Sequence, residues 1–162
     1  MERVSKHNYY LDIAQTVSER CTCLRKRFGA IIVKNDVIVS TGYNGAPRGR
    51  KNCSDMGTCI RDKLGIPRGE RYELCRSVHA EANAIIAASY DQMIGATLYM
   101  ACTDPKDGSL IGGTGSCMMC KRLIINAGIT TVVIRDDKEN YRIINTSDWI
   151  DNDDSLSGVF GY

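Results

Sequence analysis

Ser116-Cys117-Met118-Met119-Cys120-Lys121-Arg122-Leu123-Ile124-Ile125-Asn126-Ala127-Gly128-Ile129-Thr130-Thr131-Val132-Val133-Ile134 changes its periodicity at Gly128. Ser116 can cap a helix that carries Leu123, Ile124 and Ala127, and Gly128 supplies the left-handed stop. The β-branched run from Ile129 to Ile134 then reads as a buried strand. Upstream, Ala96 to Cys102 reads as another. A helix between two strands of one sheet makes them parallel neighbours, since a tight hairpin can only reverse direction.

Outward from this unit the chain is equally patterned. Ser77 can cap an alanine-rich helix from Val78 to Ala88 that ends near Gly95. Tyr9, Tyr10, Ile13, Ala14 and Val17 form a helical stripe over Tyr9 to Val17. Phe28 to Val33 and Val37 to Ser40 are strands joined by Lys34-Asn35-Asp36, a hairpin signal. Gly42-Tyr43-Asn44-Gly45-Ala46-Pro47 reads as a break, with two glycines and a proline. Residues 48–76 show no sustained period and contain Cys53, Cys59 and Cys75; a segment that long needs something to hold it. Tyr141 to Ile144 suggests a further strand, Asp148-Trp149-Ile150 the start of a short helix, and the last residues a frayed end. This order predicts an α/β fold, a three-layer αβα sandwich around a mixed sheet of about five strands. It predicts one domain over 1–162, with a cysteine-containing insertion at 48–76.

The bulk properties narrow the function. The 162 residues carry 25% charged and 43% hydrophobic side chains, with a net charge of +2. No concentrated basic stripe for long nucleic acid appears. The clusters Arg25-Lys26-Arg27 and Arg48 to Lys51 suit a solvated face or a small anion. No apolar run approaches the roughly 20 residues of a membrane span, and the first residues lack the apolar core of a secretory signal. A cytoplasmic location is expected. Eight cysteines would stay reduced there, which makes metal binding the leading reason for them.

The chemistry is carried by His79-Ala80-Glu81 and Cys117-Met118-Met119-Cys120. His79, Cys117 and Cys120 give one imidazole and two thiolates for a tetrahedral zinc, with the fourth vertex left for water. Cys117 and Cys120 project to one side of their helix, whose N-terminal dipole favours thiolate. Glu81 is not needed to hold metal; it is the candidate catalytic proton carrier. H-x-E followed by C-x-x-C is the pattern of zinc nucleobase deaminases, in which the carboxylate takes a proton from water and returns protons to the ring and the departing amine. C-x-x-C alone also serves structural zinc corners and redox pairs. The redox reading suffers because this pair does not follow the strand of an N-terminal βαβ pattern. Among the other cysteines, Cys23, Cys53, Cys59 and Cys75 suit a closed structural zinc site that would order the insertion. They also suit small buried hydrophobes. Cys21 could replace Cys23, and Cys102 reads as core.

Taken in order, Gly42 to Pro47, His79-Ala80-Glu81-Ala82-Asn83-Ala84-Ile85 and the Cys117 to Cys120 pair resemble the deoxycytidylate (dCMP) deaminase family. Arg68 to His79 is similar to its bacterial form, including the late-competence branch. The resemblance runs from about Leu11 to Ile134. It implies a cytidine-deaminase-like αβα fold and zinc-dependent hydrolysis of dCMP to dUMP and ammonia, which feeds thymidylate synthesis. It implies substrate contact at the sugar by Asn44, although Asn-Gly is also a common turn pair. It further implies a homo-oligomer, often a hexamer, with dCTP and dTTP as effectors and a second zinc near Cys23 and Cys53. Two departures stand out: Ser116 replaces the usual proline before the cysteine pair, and the 103–115 loop is long. Arg25, Lys26, Arg48, Arg50, Arg71 and Arg76 are all candidates for the phosphate, and spacing does not choose among them. The competing expectations are a deaminase of another free base or nucleoside, and a catalytically disused zinc-binding protein linked to DNA uptake.

Overall fold

The computed structural model describes residues 1–153, so the end read as frayed lies outside the described residues. The N-terminal helix α1 spans Lys6–Ser18 and starts where Ser5 Oγ accepts the Asn8 amide at 3.2 Å. It begins before the stripe at Tyr9 because this cap satisfies an orphan donor of the first turn. Strands β1 (Arg27–Lys34) and β2 (Val37–Tyr43) follow as a hairpin. Asn35 and Asp36 turn it with φ of 52° and 63°, a left-handed pair that these side chains tolerate.

Segment 48–76 contains two single-turn helices, α2 (Cys53–Met56) and α3 (Ile60–Lys63), and a 3-10 turn at Tyr72–Leu74. Next come α4 (Ala80–Ile86), a short α5 (Tyr90–Met93) and β3 (Thr97–Thr103). The chain closes with α6 (Met118–Asn126), β4 (Thr131–Arg135), β5 (Tyr141–Asn145) and α7 (Thr146–Asp151). The five strands lie in the order β2-β1-β3-β4-β5, and only the β3–β4 pair is parallel. That is the crossover expected from the helix between them.

Each sheet face is covered. Ile31, Val33, Tyr99, Ala101 and Val133 pack against Tyr10, Leu11 and Ala14 of α1. Their alternate neighbours Ala30, Ile32, Leu98, Met100, Val132 and Ile134 pack against Ala80 and Ala84 of α4 and Ile124 of α6. The central strands therefore read as continuous apolar runs instead of alternating ones. The result is the expected αβα sandwich with a five-stranded mixed sheet.

Two local expectations are corrected. Gly42 and Tyr43 belong to β2, pairing with Ala30 and Gly29; the glycine marks a close approach of α4 and not a turn. Neither Ser77 nor Ser116 caps a helix. The N-caps are His79 and Cys117.

Arg135 ends β4 with a side chain only 1% exposed. Its guanidinium fastens α1 to the sheet by donating to Asp12 Oδ1 at 2.7 Å, Gln15 Oε1 at 2.9 Å, and the Asn8 carbonyl and Oδ1 at 3.2 and 3.1 Å. Arg135→Met keeps the aliphatic stem and removes all four bonds. We expect it to lower unfolding stability by about 1–3 kcal/mol in urea titration, because the bonds that fasten α1 to the sheet are lost.

Candidate metal and active site

Two helix starts meet on one side of the sheet. Helix α4 is pinned there by Ser40 Oγ, which donates to the Ala84 carbonyl at 2.7 Å, and by Asn83 Nδ2, which donates to the Tyr43 carbonyl at 2.8 Å. Reciprocal backbone bonds between Gly45 and Val78 fix the residue before His79. An N-cap side chain leaves the helix at its start, so His79 on α4 and Cys117 on α6 can face each other, while Cys120 adds a second thiol one turn on.

His79 Nδ1 stands 3.4 Å from Cys117 Sγ and 3.4 Å from Cys120 Sγ. The three donor atoms lie within 4.8 Å of one another. Ligand lengths of about 2.1 Å to nitrogen and 2.3 Å to sulfur in a tetrahedron require N···S edges of about 3.6 Å. The donor set therefore fits one zinc ion. The hydrogen bond with Cys120, helped by His79, outweighs burial and holds the Cys117 thiol well below its usual range, as a thiolate ligand requires. Burial pushes His79 down, but the Cys117 and Cys75 sulfurs hold its proton and lift it to about 10. Cys120 is pushed up by its bond to Cys117 and by burial.

Glu81 lies in the first turn of α4, is 4% exposed, and is absent from the donor group. Burial raises its carboxyl above the usual range, while His79 and the nearby Ser116 hydroxyl oppose that shift.

The centre opens into a cavity of about 670 Å3, within the range of small-molecule sites. Asn44 lines it, but its amide is largely engaged: Oδ1 accepts from Phe28 N at 2.8 Å and from Cys21 Sγ at 2.7 Å, and Nδ2 donates to the Lys26 carbonyl at 3.0 Å. One N–H remains for a ligand, so the accepting half of the expected sugar contact is already taken.

Cys23, Cys53, Cys59 and Cys75 all line the same cavity. Burial raises the Cys53 thiol, and the other three sulfurs add to the effect. They do not form a second group with donor atoms within 4.8 Å among the described residues. Burial raises the Cys75 thiol, but hydrogen bonds with His79 and the Ser77 backbone, together with the charges of His79 and Arg61, outweigh it and leave the thiol lowered. Cys102 is fully buried in the core, as expected.

Sequence reasoning missed two supports of His79. The Tyr72 ring meets the imidazole edge-on at 5.1 Å and 86°. Arg61, 4% exposed, stacks over Tyr72 at 4.2 Å and donates to the carbonyls of Pro67 and Glu70 at 3.1 and 2.9 Å. Both residues lie in the aperiodic insertion, where no pattern marks them.

Residues 4–135 match the model of the cytidine and deoxycytidylate deaminase zinc-binding region. The chain belongs to this family. Within the deaminase family it is 38% identical to the deoxycytidylate deaminase of Mycobacterium phage D29, over 82% of this chain and 96% of the phage protein. It is 30% identical to the deoxycytidylate deaminase of Schizosaccharomyces pombe, over 81% of this chain but 37% of the yeast protein. Among solved structures it resembles the dCMP deaminase of cyanophage S-TIM5 in complex with dCMP and dUMP. The TM-score is 0.53, with 25% identity over 83% of this chain and 85% of that one. No helix among the described residues is long and apolar enough to cross a membrane.

Proposed function

We propose that this chain is a zinc-dependent hydrolase that converts dCMP and water to dUMP and ammonia. One observation carries the reading: a three-donor metal set with a buried carboxyl beside it, in the wall of a nucleotide-sized cavity. The phage relatives named for dCMP deamination support this choice of substrate.

His79, Cys117 and Cys120 would hold the ion, which supplies the Lewis acidity that makes water nucleophilic near neutral pH. Glu81 performs the proton work. It accepts a proton from the attacking water and passes it to the ring nitrogen N3 as oxygen adds to C4; it then takes the second proton from the C4 hydroxyl as the carbonyl forms and gives it to the amine, which leaves as ammonia. Its burial suits both halves of the task, because a raised carboxyl is a stronger base and persists in its protonated form between transfers. The free Asn44 N–H faces the sugar, and Tyr72 and Arg61 keep the His79 ring in place.

The reading extends to one deaminase domain over 1–162 with 48–76 as an insertion. It includes a cytoplasmic homo-oligomer, with hexamer the expected form, and regulation by dCTP and dTTP. It also includes a second zinc at Cys23, Cys53, Cys59 and Cys75, supported by their shared cavity wall. Side-chain rotation would have to bring the four sulfurs together and withdraw Cys75 from His79. We expect metal analysis to return two zinc ions per chain, falling to one in Cys53→Ser; one per chain in the unaltered protein rules the second site out.

Ammonia release from dCMP, deoxycytidine, cytidine and dCTP tests the function. Preferential turnover of dCMP is expected. Faster turnover of cytidine reassigns the substrate, and no turnover of any of them points to a disused catalytic site.

A further inference from the structure

We propose that Asp136 and Arg142 are positioning residues for the reaction, holding segment 112–115 as the cavity wall that receives the substrate beside the metal. The inference rests on the dCMP deaminase reading and adds residues outside the metal donors and the acid.

The segment before the cysteine pair contains Gly112, Gly113 and Gly115. Gly113, Thr114 and Gly115 line the cavity with Glu81 and Cys117, so the wall runs directly into a metal donor. A glycine-rich stretch loses much freedom when it is fixed, and it has few side chains with which to anchor itself. The first half of the 103–115 loop secures itself. The Gly108 amide donates to the Asp104 carbonyl and the Asp104 amide to the Ser109 carbonyl, each at 2.8 Å. The Ile111 amide then donates to the Cys102 carbonyl at 2.9 Å. From Gly112 to Gly115, the backbone bonds found among the described residues go to Asp136 and Arg142.

Asp136 Oδ1 accepts the Gly113 amide at 2.9 Å, and the Arg142 guanidinium donates to the Thr114 carbonyl. Arg142 Nε also donates to Asp136 Oδ1 and Oδ2 at 3.1 and 2.9 Å, which joins the two grips into one clamp. That bond holds the Asp136 carboxyl below its usual range, so the pair stays ionised at neutral pH. Gly112 completes the fit. A Cβ there would stand 2.5 Å from the Asp136 carbonyl oxygen, so a larger residue could not lie this close to the end of β4.

The clamp is mounted on a rigid part of the fold. Asp136 follows β4, Arg142 lies on β5 opposite Ile134, and the Asp136 amide closes the turn on the Asn140 carbonyl at 2.9 Å. An ion pair whose side chains are 41% and 29% exposed adds little stability. What it supplies is orientation, because a guanidinium fork fixes direction as well as distance. A wall set in place before the substrate arrives spares binding the cost of ordering it.

The test is steady-state deamination of dCMP by the zinc-loaded protein, Arg142→Met, Arg142→Lys, Asp136→Asn and Lys6→Ala. Zinc content and amide hydrogen exchange are measured on each. If Arg142→Met leaves the wall formed about one-tenth of the time, KM should rise about 10-fold. The bound state restores the wall, so kcat should change by less than about threefold. Exchange should quicken in residues 111–116 and stay slow in β1 and β3. Arg142→Lys keeps the charge opposite Asp136 but loses the fork, so it should recover part of the KM. Asp136→Asn keeps an acceptor for Gly113 and should show a smaller rise; it carries the same test if Arg142→Met does not fold. Lys6→Ala breaks an ion pair of 3.1 Å with Asp36, neither of which lines the cavity, and should leave every readout unchanged. An unchanged KM in the Asp136 and Arg142 variants overturns the proposal. So does a fall in kcat that follows zinc content, because the pair would then support only the Cys117 ligand. If the unaltered protein leaves dCMP intact, the deaminase reading fails instead, and exchange in 111–116 still shows whether the pair holds the segment.

Discussion

Glu81→Gln is expected to lower kcat for dCMP by about 100- to 10,000-fold, the usual contribution of a positioned general acid–base, while the protein keeps its zinc. The two outcomes separate because the carboxyl stands outside the donor group formed by His79, Cys117 and Cys120. Glutamine matches the shape of glutamate and retains hydrogen-bonding atoms, so packing in the first turn of α4 is preserved. It cannot take up a proton from water. A buried carboxylate is costly to ionise, and burial raises the Glu81 carboxyl for that reason. The neutral amide escapes this cost, so the melting temperature of the variant should equal or exceed that of the parent at neutral pH. That is the trade of stability for activity expected at a working acid. Ammonia release, zinc content and thermal melting on the same preparation check the prediction. Retained turnover would remove Glu81 from the mechanism; lost zinc would show it to be a structural support.

How much of this was legible in the sequence depended on whether a residue's job follows its local pattern. The strand at Ile129 to Ile134 and the helix before it declare themselves through periodicity and through Gly128, which takes φ 80° at the helix end. The hairpin at Asn35-Asp36 is equally local. The helix starts at the metal site were misread by a residue or two. Serine oxygen is the usual cap, so Ser77 and Ser116 attract the assignment. In the folded chain His79 and Cys117 take the cap positions without making a side-chain cap bond. Converging on one ion requires side chains that leave the helix at its first residue, and that requirement overrides local preference. Arg61 and Tyr72 were invisible for another reason. Their importance comes from Tyr72 meeting the His79 ring edge-on with Arg61 stacked over Tyr72, and nothing in residues 60–75 repeats.

Gly42→Ala should have a large effect on stability, and it should reach the metal as well. A Cβ at Gly42 would fall well inside 3.0 Å of the Ala80 carbonyl oxygen and the Ala84 amide nitrogen. These are backbone atoms of α4 and cannot swing aside as a long side chain could, so the helix must lift from β2 or the strand must bend. Overpacking of this kind costs about 1–3 kcal/mol and sometimes more. Because α4 starts at His79, the same displacement moves one zinc donor relative to Cys117 and Cys120, which ride on α6. Gly29→Ala provides the contrast. Its Cβ would collide with the Ala14 carbonyl oxygen and the Ser18 amide of α1, on the opposite face of the sheet. Both variants should melt at clearly lower temperature. Only Gly42→Ala should also release zinc to a competing chelator faster than the parent, at temperatures where each protein remains folded. Equal zinc retention in the two would mean that the metal centre tolerates movement of α4, and the close approach at Gly42 would then serve packing alone.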